Sequence, residues 1–160
     1  MIFRQPLFRA GLVLGLGLGG FVDGIVLHQI LGWHHLICTT ATCAPDSIAT
    51  LQRQNTQDGF FHAATWLLTV LGVVSLWRAR DTPSGSTGGR VVFGGAVAGW
   101  GVFNFVEGLI DHQLLGIHHV KPDSPHWLIY DLLFLASGVV LVAVGWVLAR
   151  RGFSTKAHKV

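Results

Sequence analysis

Four stretches of this chain, near residues 7–31, 58–78, 91–116 and 126–149, are each long and apolar enough to cross a membrane as a helix. A hydrocarbon core of about 30 Å takes about 20 helical residues to cross. Between Gly59 and Trp77, and again between Leu132 and Ala149, no Asp, Glu, Lys or Arg interrupts the run. Only 12% of the 160 residues are charged and 51% are hydrophobic. Soluble domains carry about twice that charged share. The expected fold is therefore all-α, an integral membrane four-helix bundle forming a single membrane domain over residues 1–160. Arg4 and Arg9 ahead of the first apolar run have the look of a secretion signal, but no small-x-small cleavage site follows, so that span is expected to be retained.

Orientation follows from the basic residues. Nine of the 11 Lys and Arg precede span one, flank the loop between spans two and three, or follow span four; only Arg53 and Lys121 fall on the other side. Both termini are expected in the cytoplasm of a bacterial inner membrane, with the lipid bilayer as the main partner. The same asymmetry accounts for the net charge of +3, so no nucleic-acid partner is implied. Acids and histidines are biased the opposite way. Eight of nine His and seven of eight acids lie at the outer, periplasmic ends of the helices or in the outer loops. Cys38 and Cys43 share the first outer loop, where an oxidising exterior permits a disulfide; two free thiols are the alternative.

The chain also repeats itself. "FVDGIVLHQILGWHH" (21–35) and "FVEGLIDHQLLGIHH" (105–119) lie 84 residues apart and share nine of fifteen residues. At the same offset Gly11 matches Gly95 and Gly15 matches Gly99, and four-residue steps from them reach Asp23 and Glu107. Small residues at that spacing let membrane helices approach closely. The flexible stretch "DTPSGSTGG" separates the copies. Two duplicated helical hairpins are expected, residues 1–80 and 90–160, related by a pseudo-twofold along the membrane normal. "DGFFHAA" from Asp58 and "DLLFLAS" from Asp131 align less closely, keeping the aspartate and replacing His62 by Leu135.

An acid inside a membrane span is costly unless paired, hydrated or metal-bound, and marks function by default. Imidazole beside carboxylate is a common transition-metal ligand set. The candidate metal ligands are His28, His34, His35, Asp58, His62, His112, His118, His119 and His126, with Asp23, Glu107 and Asp131. Asp58 and His62, four apart, share a helix face. If helices run through Gly32 and Gly116, His28 and His35 share a face; if they end there, the paired histidines fold back on loops. In each adjacent pair one histidine can serve outside the metal shell, and Gln29 and Gln113 are expected to fix a ring tautomer. This many donors allow two ions.

The sole Met is the first residue and there are only two Cys, so a soft Cu(I) carrier is disfavoured; iron, zinc or oxidised copper suits the set. The rival cofactor is haem b, held by His28 and His112. The sequence contains no C-x-x-C-H haem attachment, serine nucleophile motif or phosphate loop.

On "DGIVLHQILGWHH", "DGFFHAATW", "EGLIDHQLLGIHH" and "YDLLFLASG", the chain resembles, over nearly its whole length, a family of predicted bacterial four-span membrane proteins known only as a domain of unknown function. The resemblance implies four spans and supplies no activity. The eight-histidine membrane desaturases are an analogy only, since their H-x-x-H-H boxes are absent. The functional expectation is an integral membrane metalloprotein, its centre dinuclear, used for redox or oxygen chemistry, as in a membrane-bound oxidoreductase, or for Lewis-acid activation of water. The alternatives are a metal capture and transfer protein, or a haem-binding cytochrome partnering a respiratory complex or membrane redox partner. A homo-oligomer is compatible with either.

Overall fold

The computed structural model describes residues 2–38, 43–83 and 87–154. Linker residues 84–86 and the terminal Lys156, His158 and Lys159 lie outside them. All regular structure among the described residues is helical. A short 3-10 turn, Ile2–Arg4, leads into α1 (Pro6–Val22), followed by α2 (Ile48–Arg78), α3 (Gly88–Glu107) and α4 (Trp127–Ser154). Pro6 opens α1, where its missing N–H is not needed. With the segments that extend α1 and α3, four helices are long and apolar enough to span a membrane: Pro6–Ile30, Ile48–Arg78, Gly88–Leu114 and Trp127–Gly152.

The second helix departs from expectation. It begins ten residues before the apolar run because Ser47 caps it, its hydroxyl accepting from the Thr50 N–H at 3.1 Å. The added turns, Ile48–Gln57, are mostly polar and exposed, so hydropathy alone does not detect them.

α1 and α3 form the central pair, α2 packs on α1 and α4 on α3. Accordingly, 44% and 50% of the apolar 18-residue stretches of the first and third spans are buried, against 11% and 17% for the second and fourth. The glycines explain the pairing. Gly11 lies against the Val92 carbonyl as Gly95 lies against that of Phe8, and Gly15 meets Ala96 as Gly99 meets Leu12. A Cβ at any of the four would overlap a carbonyl oxygen of the facing helix, so only glycine allows this approach. Each contact is its counterpart with the two halves exchanged.

Where the repeated phrase begins, both central helices change their winding. α1 passes into a π-helix, Asp23–Ile30, and α3 into another, Gly108–Leu114. The wider turns end on hydrogen bonds spanning five residues, Leu31 N to Val26 O at 2.9 Å and Leu115 N to Ile110 O at 2.8 Å. Gly32 and Gly116, both at φ 57°, then stop the helices in a left-handed conformation that glycine adopts without strain. Of the two sequence alternatives, the helix-ending one holds, and the paired histidines fold back on loops.

Candidate metal centre

The π-winding performs the first step of assembly. Asp23 and His28 are five residues apart, about 140° around an α-helix. A π-turn, closed by a hydrogen bond between residues five apart, brings such a pair toward one side of the helix. His28 Nε2 consequently stands 3.1 Å from Asp23 Oδ2, both side chains buried. Glu107 and His112 have the same spacing at the matching place in the second half, and both are buried.

The loops supply the second step. His34 Nδ1 donates to the Val120 carbonyl at 2.9 Å, and His118 Nδ1 donates to the Leu36 carbonyl at 2.9 Å. The halves exchange these bonds reciprocally. A carbonyl can only accept, so each ring carries its proton on Nδ1 and presents a bare Nε2 lone pair. Both loop histidines are wholly buried. Burial pushes His34 down to about 4, against the pull of the Asp23 carboxylate. Burial, reinforced by the imidazoles of His34 and His112, pushes His118 down to about 2. Both rings are therefore neutral at pH 7. They stack with centroids 4.7 Å apart and an interplanar angle of 8°. His28 meets His34 edge-on at 4.5 Å, and His112 meets His118 edge-on at 4.8 Å.

The third step comes from α2 and α4. Asp58 accepts from His28 Nδ1 at 3.1 Å, Gln29 Nε2 at 3.1 Å, His35 Nδ1 at 2.7 Å and the Leu36 N–H at 2.9 Å. Asp131 repeats the pattern, with Gln113 Nε2 at 3.4 Å, His119 Nδ1 at 2.7 Å and the Val120 N–H at 2.9 Å. His112 Nδ1 stands further off, 3.7 Å from Asp131 Oδ1. These two aspartates are anchors whose lone pairs are largely used. Gln29 and Gln113, expected to bind rings, hold the anchoring carboxylates instead.

Six side chains then converge: His28, His34, His112, His118, Asp23 and Glu107. His34 Nε2 and His112 Nε2 are buried without a hydrogen-bond partner among the described residues, while His28 Nε2 faces Asp23 Oδ2 at 3.1 Å and His118 Nε2 faces Glu107 Oε1 at 3.6 Å. Two donor sets, Asp23–His28–His34 and His34–Glu107–His118, each bring one ligand atom per residue within 4.8 Å of the others. Such bare donors cost about 1–3 kcal/mol apiece when left unsatisfied. A divalent cation would satisfy them together, so the residues fit a metal.

Other sequence candidates lie outside this group. His35 and His119 stand behind it on the aspartate anchors. His62 donates to the Asp58 carbonyl of its own helix at 2.8 Å and packs against Gly24, much as Leu135 packs against Gly108. His126 is exposed, and the hydrogen bonds described for it are made by its backbone, the N–H to Ser124 Oγ and the carbonyl from the Ile129 N–H. Of the alternatives for the cysteines, the disulfide is the one found, Cys38 to Cys43. Cys38 is buried, and its N–H donates to the Ile117 carbonyl at 3.0 Å, tying this loop to that of the other half. Sequence reasoning missed the π-segments, although the twice-repeated acid-to-histidine spacing of five signals them.

Four apolar helices around a buried imidazole and carboxylate cluster define a multi-pass membrane protein whose site is able to hold metal. The family described as predicted membrane protein (DUF2243) matches residues 10–152, and the chain belongs to it. No curated protein and no solved structure matches the chain.

Proposed function

We propose that the protein is an integral membrane metalloprotein with a transition-metal pair held by His28, His34, His112, His118, Asp23 and Glu107. The observation that carries this reading is the gathering of four buried imidazoles with two buried carboxyl groups, His34 Nε2 and His112 Nε2 having no hydrogen-bond partner among the described residues. His34 and His118 are already in the tautomer a metal requires, and Asp58 holds the His28 ring through Nδ1. The reciprocal contacts support a pseudo-twofold through the site, with each half supplying one acid and two ligating histidines.

Iron, zinc or oxidised copper fits imidazole plus carboxylate better than Cu(I) does. Such a centre supplies redox chemistry or a lowered pKa for bound water. The chain's part is to exclude solvent and fix the ring tautomers through Asp58, Asp131 and two backbone carbonyls. Burial of every donor favours a resident cofactor over capture and transfer, which requires ready exchange. Haem between His28 and His112 is the weaker reading, because the stacked rings of His34 and His118 lie against both histidines. Basic-residue asymmetry and the disulfide together favour an inner membrane with the centre toward the periplasm.

Element analysis of the purified protein tests the reading. It should find about two ions per chain, as a two-metal site requires. His34→Ala and His118→Ala should each lower that content while the protein still inserts. Metal-free protein that is as stable as protein purified with added metal would overturn it.

A further inference from the structure

Two crevices flank the cluster at matching positions of the two halves. One is lined by Leu16, Phe61, Phe103, Glu107, Ile110 and Asp111, among others, and holds about 250 Å³. Its twin, lined by Asp23, Val26, Leu27, Trp100 and Phe134, holds about 110 Å³. Leu16 corresponds to Trp100, and Asp111 to Leu27, so the twins differ in bulk and in polarity. The indole of Trp100 narrows one; the smaller Leu16 leaves the other open. Val106 and Ile110 at the rim of the larger crevice are exposed on the flank of a membrane span, so it opens sideways toward lipid.

The larger crevice has walls of aliphatic and aromatic carbon, and Phe61 and Phe103 lie 6.1 Å apart in it. Its polar wall is carboxyl: the half-buried Asp111 and the buried Glu107. A cavity of about 150 Å³ accepts benzene, so this crevice has room for one ring with small substituents, and its twin does not. A ligand that dissolves in lipid, fills an aromatic slot and donates a hydrogen bond to a carboxyl is a ring bearing hydroxyls.

We propose that the crevice beside Glu107 binds a membrane-dissolved hydroquinone-class molecule, its ring against the wall made by Phe61 and Phe103 and a hydroxyl on Asp111. Asymmetry between otherwise matched halves is what selects this side. Binding does not depend on the metal reading; the ligand's proximity to the centre gains meaning from it.

The test is calorimetric titration of a short-chain hydroquinone into the full protein in detergent, as purified and after chelation. Saturable binding at one site is expected, with the dimethyl ether of the same ring weaker by about tenfold or more, about 1.4 kcal/mol. Leu16→Trp and Asp111→Leu each install the residue the other half already carries, so the fold has a precedent for both. Each should weaken binding by about tenfold while leaving metal content unchanged. Absence of saturable binding, equal binding of the ether, or wild-type affinity in both variants would each overturn the proposal. Protein that holds no metal as purified or after metal is added, yet binds the hydroquinone, would sink the metal reading and leave this one standing; metal-loaded protein that ignores the hydroquinone would do the reverse.

Discussion

A carboxylate that already accepts from imidazoles, an amide side chain and a backbone N–H, as Asp58 does, has little left to offer a metal and much to offer the rings it holds. Asp58→Asn is therefore expected to lower metal affinity about 10- to 100-fold, as loss of outer partners does elsewhere, without abolishing binding. Asp131→Asn should act in the same direction. Competition with a graded series of chelators would measure both, and wild-type affinity in either variant would refute the anchoring role. A second expectation concerns pH. His34 has its folded value depressed to about 4 from 6.5, so its contribution to stability is complete above pH 6.5 and is lost as pH falls toward 4. Unfolding temperature of the chelated protein in detergent should decline across that window, and less steeply in His34→Gln. At this scale the sequence was legible in kind but not in role. The duplicated acids and histidines pointed to the cluster, yet whether a carboxylate ligates or anchors depends on tertiary partners such as Leu36 N and Val120 O. His62 and His126 share the composition of the set, but one faces Gly24 and the other is exposed.

Elements were legible where hydropathy or glycine spacing speaks, and silent where winding changes. The face carrying Gly11, Gly15, Gly95 and Gly99 predicted the α1–α3 contact, because a membrane helix pair without side chains between its backbones has few other ways to pack. The π-segments escaped a reading based on 3.6-residue periodicity, which spreads Asp23 and His28 around the helix instead of bringing them toward one side. Likewise the first turns of α2 carry no apolar run, and only the Ser47 cap announces them. Two substitutions probe this level. Gly99→Ala would press a methyl into the Leu12 carbonyl, and should separate α1 from α3 at a cost of about 1–3 kcal/mol, the usual range for overpacking. Lowered thermal stability with reduced metal content is the expected readout. Gly32→Ala meets nothing within 4 Å, so only its backbone conformation resists. It should cost about 1–2 kcal/mol, while Gly32→Asn, which tolerates that conformation, should cost less. Equal stability of Gly32→Ala and wild type would remove the requirement for a left-handed stop.

The molecule as a whole makes one further commitment, its direction in the membrane. Four spans bring both termini to the same side, opposite the histidine-rich end. Two independent physical effects then choose the side. Lys and Arg resist translocation, and nine of the 11 cluster with the termini and the loop joining α2 to α3. Separately, the Cys38–Cys43 disulfide lies in the loop at the opposite end, and disulfides persist in oxidising compartments. Charge and redox chemistry share no cause, yet both favour the proposed orientation, with the termini inside and the cluster end outside. A reporter that is active only in the cytoplasm, fused after Val160, should therefore be active, and the same reporter inserted after Asp46 should be silent. Moving charge tests the cause: Arg150 and Arg151 changed to Gln should weaken the bias, and adding lysines beside Lys121 should weaken it further. Activity of the reporter at Asp46 in the unaltered chain would place the disulfide in a reducing compartment and the cluster against the cytoplasm, so any substrate would have to reach it from there.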